Sequence, residues 1–393
     1  MASSNQDTIT LKAHCFCKAN VFTTEVPRSK LPLPASICHC DSCRCLTGAL
    51  YTCDIRWPEP RDDVDVSKLR VYQFTRNLDL LFCPTCSTPV FWVTSSDPSR
   101  PLGIFTGVLN NADHDLIKFD YHGFVGDTLD GGASVWLRHP NTDPTEIRSY
   151  QQESVAKEPG DIPQEWASPA ELTGYEVKKE DAVPIRCRCK GVDFVLHRGD
   201  YSGKTEKELP FNIDPKTHKL LADFCGCDSC RLQSGIDVFN WTFAEMKHIS
   251  FSSNSSSSKS FPAHSAELKK LVDAHDPSIG TLTYYASSPG VVRYFCSTCS
   301  ACIFYASDDR PEILDVAIGV LHASDGARAE GLLSWTFGNR VSYREDGDGG
   351  WRQGLFDRVE KDAEHHRVSR GYPKNWKTIE DEKASKEGKA VYQ

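Results

Sequence analysis

The 393-residue chain is 39% apolar and 25% charged, with a formal net charge of −9, the composition of a globular protein. An acidic balance without clustered Lys and Arg excludes nucleic acid as the main partner, and no apolar run is long enough to predict a membrane-spanning helix or a membrane partner. The opening "MASSNQDTIT" lacks the basic and apolar regions of a secretory signal. A cytoplasmic location is therefore expected, where 17 cysteines point to metal or catalysis rather than to disulfides.

Read in chain order, the cysteines form a pattern. Cys15-x-Cys17 comes first, then Cys38-x-Cys40-x-x-Cys43 inside "CHCDSCRCLTG". The short β-type runs "LRVYQF", "VFWVTS" and "LGIFTGVL" follow, with Cys83-x-x-Cys86 between the first two. After "HGFVGDTLDGG" a Pro- and charge-rich stretch reads as a linker. The pattern then repeats as Cys187-x-Cys189, Cys225-x-Cys227-x-x-Cys230 and Cys296-x-x-Cys299, among the strand-like runs "GVDFVLH" and "LTYYAS". "FCPTCSTPVFW" is echoed by "FCSTCSACIFY", and "IFTGVLN" by "VAIGVLH". All seven cysteine positions match, which marks an internal duplication.

The second copy has longer loops. One holds "SFSSNSSSSKSF", which reads as a mobile surface loop. The only helix-like stretches lie near 263–275 and 357–390, and the charge-rich end is expected to fray. The expected organisation is a first zinc domain at 1–150, a linker at 151–184, a second zinc domain at 185–356 and a charged tail at 357–393.

Seven thiols per copy divide into four plus three. A structural zinc is closed by four protein ligands, whereas a catalytic zinc keeps one position open. The closed sites are read as Cys15, Cys17, Cys83 and Cys86, and as Cys187, Cys189, Cys296 and Cys299. The open ones are Cys38, Cys40 and Cys43, and Cys225, Cys227 and Cys230. An open three-thiolate zinc accepts a substrate sulfur as thiolate, which suits making or breaking a sulfur–carbon bond. The competing reading fills the fourth position with His39, His14 or Cys45, although Gly226 stands where His39 would recur.

These motifs resemble the glutathione-dependent formaldehyde-activating enzyme family, which also includes centromere protein V. "CHCDSCRCLTG" fits the family's central motif with Arg44, Thr47 and Gly48, and "CGCDSCRLQSG" fits with Arg231, Ser234 and Gly235. The G-x-L element persists at Gly107–Leu109 and Gly319–Leu321. Ser87 and Ser300 stand after the last C-x-x-C, where the family usually has Gly, and Asn110 and His322 replace an Asp after G-x-L. The resemblance implies two tandem β-tent domains of small antiparallel sheets, up to two zinc ions in each, and the same four-plus-three partition. It also implies carbon–sulfur lyase activity with glutathione, or a glutathione adduct, as the small-molecule thiol. Both three-cysteine sets and Arg44 are then the catalytic candidates, Arg44 offsetting the charge of a thiolate-bound zinc or gripping a substrate carboxylate. The other class of function is a zinc-stapled binding scaffold without chemistry. The first copy fits the motif better and is favoured as the working one. His122 reads as a general base or, more in keeping with its type, as a histidine bonded to backbone. His365 and His366 read as solvated.

Overall fold

The computed structural model describes residues 7–112, 115–152, 181–252 and 260–387. Most of the expected linker and the Ser-rich tract lie outside them. The first half runs β1 (Thr8–His14), β2 (Val21–Pro27), β3 (Leu33–Cys38), α1 (Asp41–Thr47), β4 (Thr52–Arg56), β5 (Arg70–Gln73), β6 (Leu78–Phe82), β7 (Pro89–Thr94), β8 (Gly103–Phe105), β9 (Ile117–Gly123) and β10 (Arg148–Ser149). The second runs β11 (Ala182–Arg186), β12 (Asp193–His197), β13 (Leu220–Cys225), α2 (Asp228–Ser234), β14 (Phe239–Glu245), β15 (Ile249–Phe251), α3 (Ser265–Asp273), β16 (Leu282–Ser288), β17 (Val291–Cys296), β18 (Cys302–Ser307), β19 (Ile313–Ala317) and β20 (Leu333–Trp335). Helices α4 (Trp351–Ser369) and α5 (Trp376–Lys386) close the chain.

The protein is mainly β, built of several sheets with few helices. In the first half the main sheet is ordered β10-β9-β3-β4-β8-β7-β6-β5, beside a β1-β2 hairpin. The second half gives β20-β13-β14-β19-β18-β17-β16 beside a three-stranded sheet. Apart from β10, which has no counterpart, the two sheets follow the same strand order. Pairing is mostly antiparallel, but β3–β9, β9–β10 and β13–β20 are parallel.

The central cysteine motif folds as a capped single helix. Cys40 Sγ accepts the Cys43 N–H (3.3 Å) at the start of α1, and Gly48 ends it at φ +81°. Cys227, Cys230 and Gly235 (φ +76°) do the same for α2. The Thr47 and Ser234 hydroxyls both donate back to the carbonyl four residues earlier, at 3.2 and 2.8 Å, so the Thr-to-Ser difference between copies keeps the bond.

The G-x-L elements join the two halves. Gly107 N–H donates to Gly235 O (2.9 Å), and Gly319 N–H to Gly48 O (2.8 Å). A Cβ on Gly107 would lie 2.2 Å from the Gly235 carbonyl carbon, and one on Gly319 2.1 Å from Ala49 O. The glycine that ends each central motif is thus the docking point for the other half's G-x-L glycine. Alongside, Arg352 is fully buried against Asp237 (2.8 Å) and donates to Thr106 O, while Thr106 Oγ1 donates to Asp237 (2.6 Å). A charge pair this deep is tolerated because each group is hydrogen-bonded as well as paired.

Within the described residues the charged end is helical over Trp351–Ser369 and Trp376–Lys386. Leu355, Phe356, Val359 and Ala363 of α4 are buried, and Asp362 accepts from His139 of the first half (2.8 Å). His366 is buried too, at 7% exposure, rather than solvated. Charge density hid an apolar stripe on one face of the helix.

Candidate metal centres and an adjoining cleft

Four groups of cysteines bring their sulfurs within 4.8 Å of one another: Cys15, Cys17, Cys83 and Cys86; Cys187, Cys189, Cys296 and Cys299; Cys38, Cys40 and Cys43; and Cys225, Cys227 and Cys230. All seventeen thiols are free of disulfides. In the four-cysteine groups the Cys15–Cys17, Cys17–Cys83, Cys187–Cys189 and Cys189–Cys296 sulfurs lie 3.5, 3.6, 3.5 and 3.4 Å apart. Four sulfurs around a zinc at about 2.3 Å would stand about 3.8 Å apart. The donor sets therefore fit a soft tetrahedral ion. Backbone N–H groups of Cys17 and Asn20 point at sulfurs of the first group (3.4 and 3.3 Å), and those of Gly191 and Val192 at sulfurs of the second (3.4 and 3.3 Å), as thiolate ligands require.

The turns that present these sulfurs run left-handed at Lys18, Ser87, Lys190 and Ser300, with φ between +60° and +66°. Ser87 and Ser300 are buried, and their hydroxyls have no hydrogen-bond partner. A glycine-preferring backbone is thus occupied by serine in both copies.

Neither three-cysteine group gains a fourth His, Cys or carboxylate ligand among the described residues. His39 lies between two of these cysteines, but its Nε2 faces His122 Nδ1 at 2.9 Å. His122 Nε2 meets Leu137 O at 3.0 Å, the backbone-bonded role, and burial pulls its pKa down to about 4. His14 Nδ1 meets Cys15 O, and Cys45 faces His322 across the join between halves. Arg44 is buried beside Asp41. Arg231 is equally buried and donates to Asp228 and to Gly107 O and Leu109 O of the first half. It is an interface residue rather than a surface one.

The surroundings of the two groups differ. Cys38, Cys40 and Cys43 stand at one end of a cleft of about 660 Å³ that is also lined by Asp54, Arg56, Phe74, Trp92, Arg100 and Asp127. Hydrogen bonds from Cys38 and Cys43 pull the Cys40 thiol down to about 3, while its neighbours are pushed up. Cys38 and Cys40 are half-buried and Cys43 is buried.

In the second group the thiol pulled down is that of Cys230, which is buried. Cys225 and Cys227 lower it most, with Arg293 and Trp241 adding to the effect. Trp241 Nε1 lies 3.3 Å and Arg293 Nη1 3.7 Å from Cys230 Sγ, and Arg293 also donates to Gln233. Strand register shows what stands in place of the cleft. Cys38 faces Thr52 and Cys225 faces Phe239, so Asp54 and Arg56 correspond to Trp241 and Phe243. Leu80 opposite Trp92 corresponds to Arg293 opposite Tyr305. Gly103 opposite Trp92 corresponds to Asp315 opposite Tyr305, and Arg310 clamps Asp315 through two bonds.

Cysteine spacing located all four groups. It gave no sign of the cleft or of its second-half filling, because those residues lie on strands distant in sequence and are aligned only by pairing.

Residues 10–127 match the family model described as glutathione-dependent formaldehyde-activating enzyme. This match lies within the first half of the chain and agrees with the resemblance of its motifs. The match covers the first copy. No curated protein and no solved structure matches the chain. Among the described residues, no helix is long and apolar enough to cross a membrane.

Proposed function

We propose that the first copy is a zinc-dependent carbon–sulfur lyase or synthase, adding the thiol of glutathione to formaldehyde or a related small carbonyl and running the reverse cleavage. The second copy is a diverged member of the same family. The single observation that carries the reading is the three-cysteine group without a fourth ligand among the described residues, opening onto a cleft of about 660 Å³.

A zinc ion held by Cys38, Cys40 and Cys43 would supply a Lewis acid that keeps a bound thiol ionised near neutral pH. The chain's own residues do the rest. The cleft walls Trp92 and Phe74 exclude water on one side and align the thiol. Asp54 borders the same space, and burial raises its carboxyl to about 7, so it both accepts and donates a proton at physiological pH. In the addition, the thiol proton passes to Asp54 and the sulfur lone pair forms the carbon–sulfur bond. The carbonyl π pair moves to oxygen, which takes the proton back from Asp54. No electrons leave or enter the system. The closed groups would act as structural zinc sites.

The scaffold reading keeps one specific observation in its favour, the packing of Trp241 and Arg293 against Cys230, and it applies to the second copy. Magnetisation-exchange NMR of glutathione with formaldehyde, together with zinc X-ray absorption, tests the assignment. Cys43→Ser should abolish catalysed exchange and the thiol-induced change in the zinc shell, while Cys230→Ser should retain both. Four protein ligands at every zinc, unchanged by glutathione, would defeat the open-site mechanism.

A further inference from the structure

Each closed cysteine group carries one side chain into the other half. Arg188 stands between Cys187 and Cys189, and its N–H donates to Cys45 O (2.9 Å) in α1, the helix that also carries Cys43. The Arg188 guanidinium lies 5.5 Å from the ring centroid of Phe74, the residue that follows β5. The other turn of the same group is tied to β5 as well, since Arg70 donates to Ser297 O (2.9 Å), between Cys296 and Cys299. Phe16, between Cys15 and Cys17, makes the reciprocal contacts. It meets Tyr285 of β16 edge to face at 5.6 Å and lies 5.5 Å from the Arg293 guanidinium, which stands 3.7 Å from Cys230 Sγ.

The two crossings are one device with its parts exchanged. Where the first closed group meets the second half, the knuckle brings a ring and the sheet brings a cation. Where the second closed group meets the first half, the knuckle brings the cation, Arg188, and the residue beside the sheet is the ring, Phe74. Each pair sits next to a three-cysteine group.

The outcome differs on the two sides. Arg293 ends on a sulfur, whereas Phe74 ends on the cleft. Arg188 does not itself line that space, but Phe74 and Trp92 do. Phe74 is buried and packs on Trp92 with ring centroids 5.1 Å apart, and Trp92 stacks on Phe105 behind it, also at 5.1 Å. A line of packed side chains thus runs from Arg188 through Phe74 to the indole that walls the cleft. Arg188 Nε is buried without a hydrogen-bond partner. A guanidinium desolvated in this way gains more from a ring than one in water does.

We propose that Arg188 is a positioning residue for the cleft of the first half. From the closed cysteine group of the second half it fixes Phe74, and through Phe74 the face of Trp92 that a ligand meets. The second copy thereby supports the wall of the site in the first. Thiol chemistry at Cys38, Cys40 and Cys43 enters only through the choice of probe.

Substitution at Arg188 leaves its N–H and both neighbouring cysteines in place. Arg188→Met keeps the length of the side chain without its charge, and Arg188→Lys keeps the charge. In the zinc-loaded full chain labelled with 5-fluorotryptophan, the Trp92 fluorine resonance is assigned by its loss in Trp92→Phe. That resonance should shift in Arg188→Met and return most of the way in Arg188→Lys. A Trp92 resonance unmoved by Arg188→Met overturns the proposal. Isothermal titration with glutathione should show binding weakened about threefold to tenfold in Arg188→Met, with KM for exchange raised to match and kcat within about twofold of wild type. In a Phe74→Leu background the same substitution should have no further effect on binding. Equal losses in both backgrounds would give Arg188 a general structural role and overturn its action through Phe74. If the wild type binds no glutathione while the Trp92 resonance still follows Arg188, the positioning stands and the thiol chemistry falls.

Discussion

The two three-cysteine groups have the same spacing, the same sulfur-capped helix and the same strand register, yet the protein around them is opposite in character. Around Cys38, Cys40 and Cys43 the neighbouring strands present Leu80, Asp54 and Gly103, which leave a cleft. Around Cys225, Cys227 and Cys230 the matching positions are Arg293, Trp241 and Asp315, which fill it. The exposure of the sulfurs follows this difference: Cys40 is half-buried in the first group, whereas Cys230 is buried and covered by a guanidinium and an indole in the second. A cysteine motif can thus persist unchanged while its access is decided by three or four residues on distant strands. A buried thiolate cluster needs compensating charge, and Arg293 supplies from within the chain what a polar ligand or solvent supplies in the open copy.

The largest expected effect lies where the copies agree. Cys83→Ser removes one sulfur from a closed group that ties β1 to the β6–β7 turn, and Cys296→Ser does the same in the second half. Structural zinc contributes on the order of 10 kcal/mol to small domains, so each variant should lose most of the cooperative thermal transition of its own half. The halves share the Thr106 bonds to Asp237 and Arg352 and the Gly107–Gly235 and Gly319–Gly48 contacts, so each loss should also lower the melting of the other half. A melt unchanged in either variant would show that its cysteine is not a structural ligand.

The next effect bears on the contrast itself. Arg293→Leu puts the first copy's residue into the second and removes the cation beside Cys230. Alkylation of Cys230 by iodoacetamide, followed by peptide mass spectrometry, should accelerate about tenfold or more, while Cys43 reacts as in the wild type. Thiolate reactivity follows access and charge environment together. Access should dominate here, since the variant also loses the guanidinium that stabilises the thiolate. A rate at Cys230 that stays the same or falls would mean that Trp241 alone seals the group.

The sequence made this much legible because metal ligation is local. C-x-C and C-x-x-C pairs must lie within a turn, so spacing exposed all four cysteine groups, and alternating β-branched and aromatic runs exposed the β class. What it hid was non-local. The partnership of Gly48 with Gly319 and of Gly235 with Gly107 needs the two halves docked before those glycines acquire a reason. The helix α4 was masked because Arg352 and Asp362 look like surface residues until their partners across the join, Thr106 and His139, are known, and His366 until its packing on Phe337 and Tyr372 is. The opposed fates of Asp54 and Trp241 depend on register, which a one-residue slip would reverse.

A smaller effect separates the cleft from its filled counterpart by pH. Burial raises the Asp54 carboxyl to about 7, so between its unfolded value near 4 and about 7 the folded protein binds more protons than the unfolded chain. Stability should therefore fall as pH rises through that window and level off above it. Asp54→Asn removes the slope, so the variant should match the wild type near pH 4 and exceed it at pH 8 by on the order of 1–2 kcal/mol. This is less than the full shift would give, because the carboxyl borders an open cleft. Urea unfolding at the two pH values measures the difference, and an equal offset at both would remove Asp54 as the titrating group. The same substitution should flatten the pH profile of glutathione–formaldehyde exchange.

The smallest effect concerns the closed groups again, where the copies share a departure from glycine. Ser87 and Ser300 hold φ of +61° and +66°, a conformation that costs an L-residue about 1–2 kcal/mol, and each buries a hydroxyl with no partner, at about 1–3 kcal/mol. Glycine removes both penalties and restores about 0.5–1 kcal/mol of backbone entropy to the unfolded chain. Ser87→Gly and Ser300→Gly should then each stabilise by about 1 kcal/mol, or about 2–4 °C in Tm for a half of this size. The two sites lie on separate knuckles and should add. Thiol binding at Cys43 should not change, since neither serine lines the cleft. A lowered Tm would instead assign the hydroxyls a bond to the thiolates once metal is bound, which would explain why serine stands at this turn in both copies.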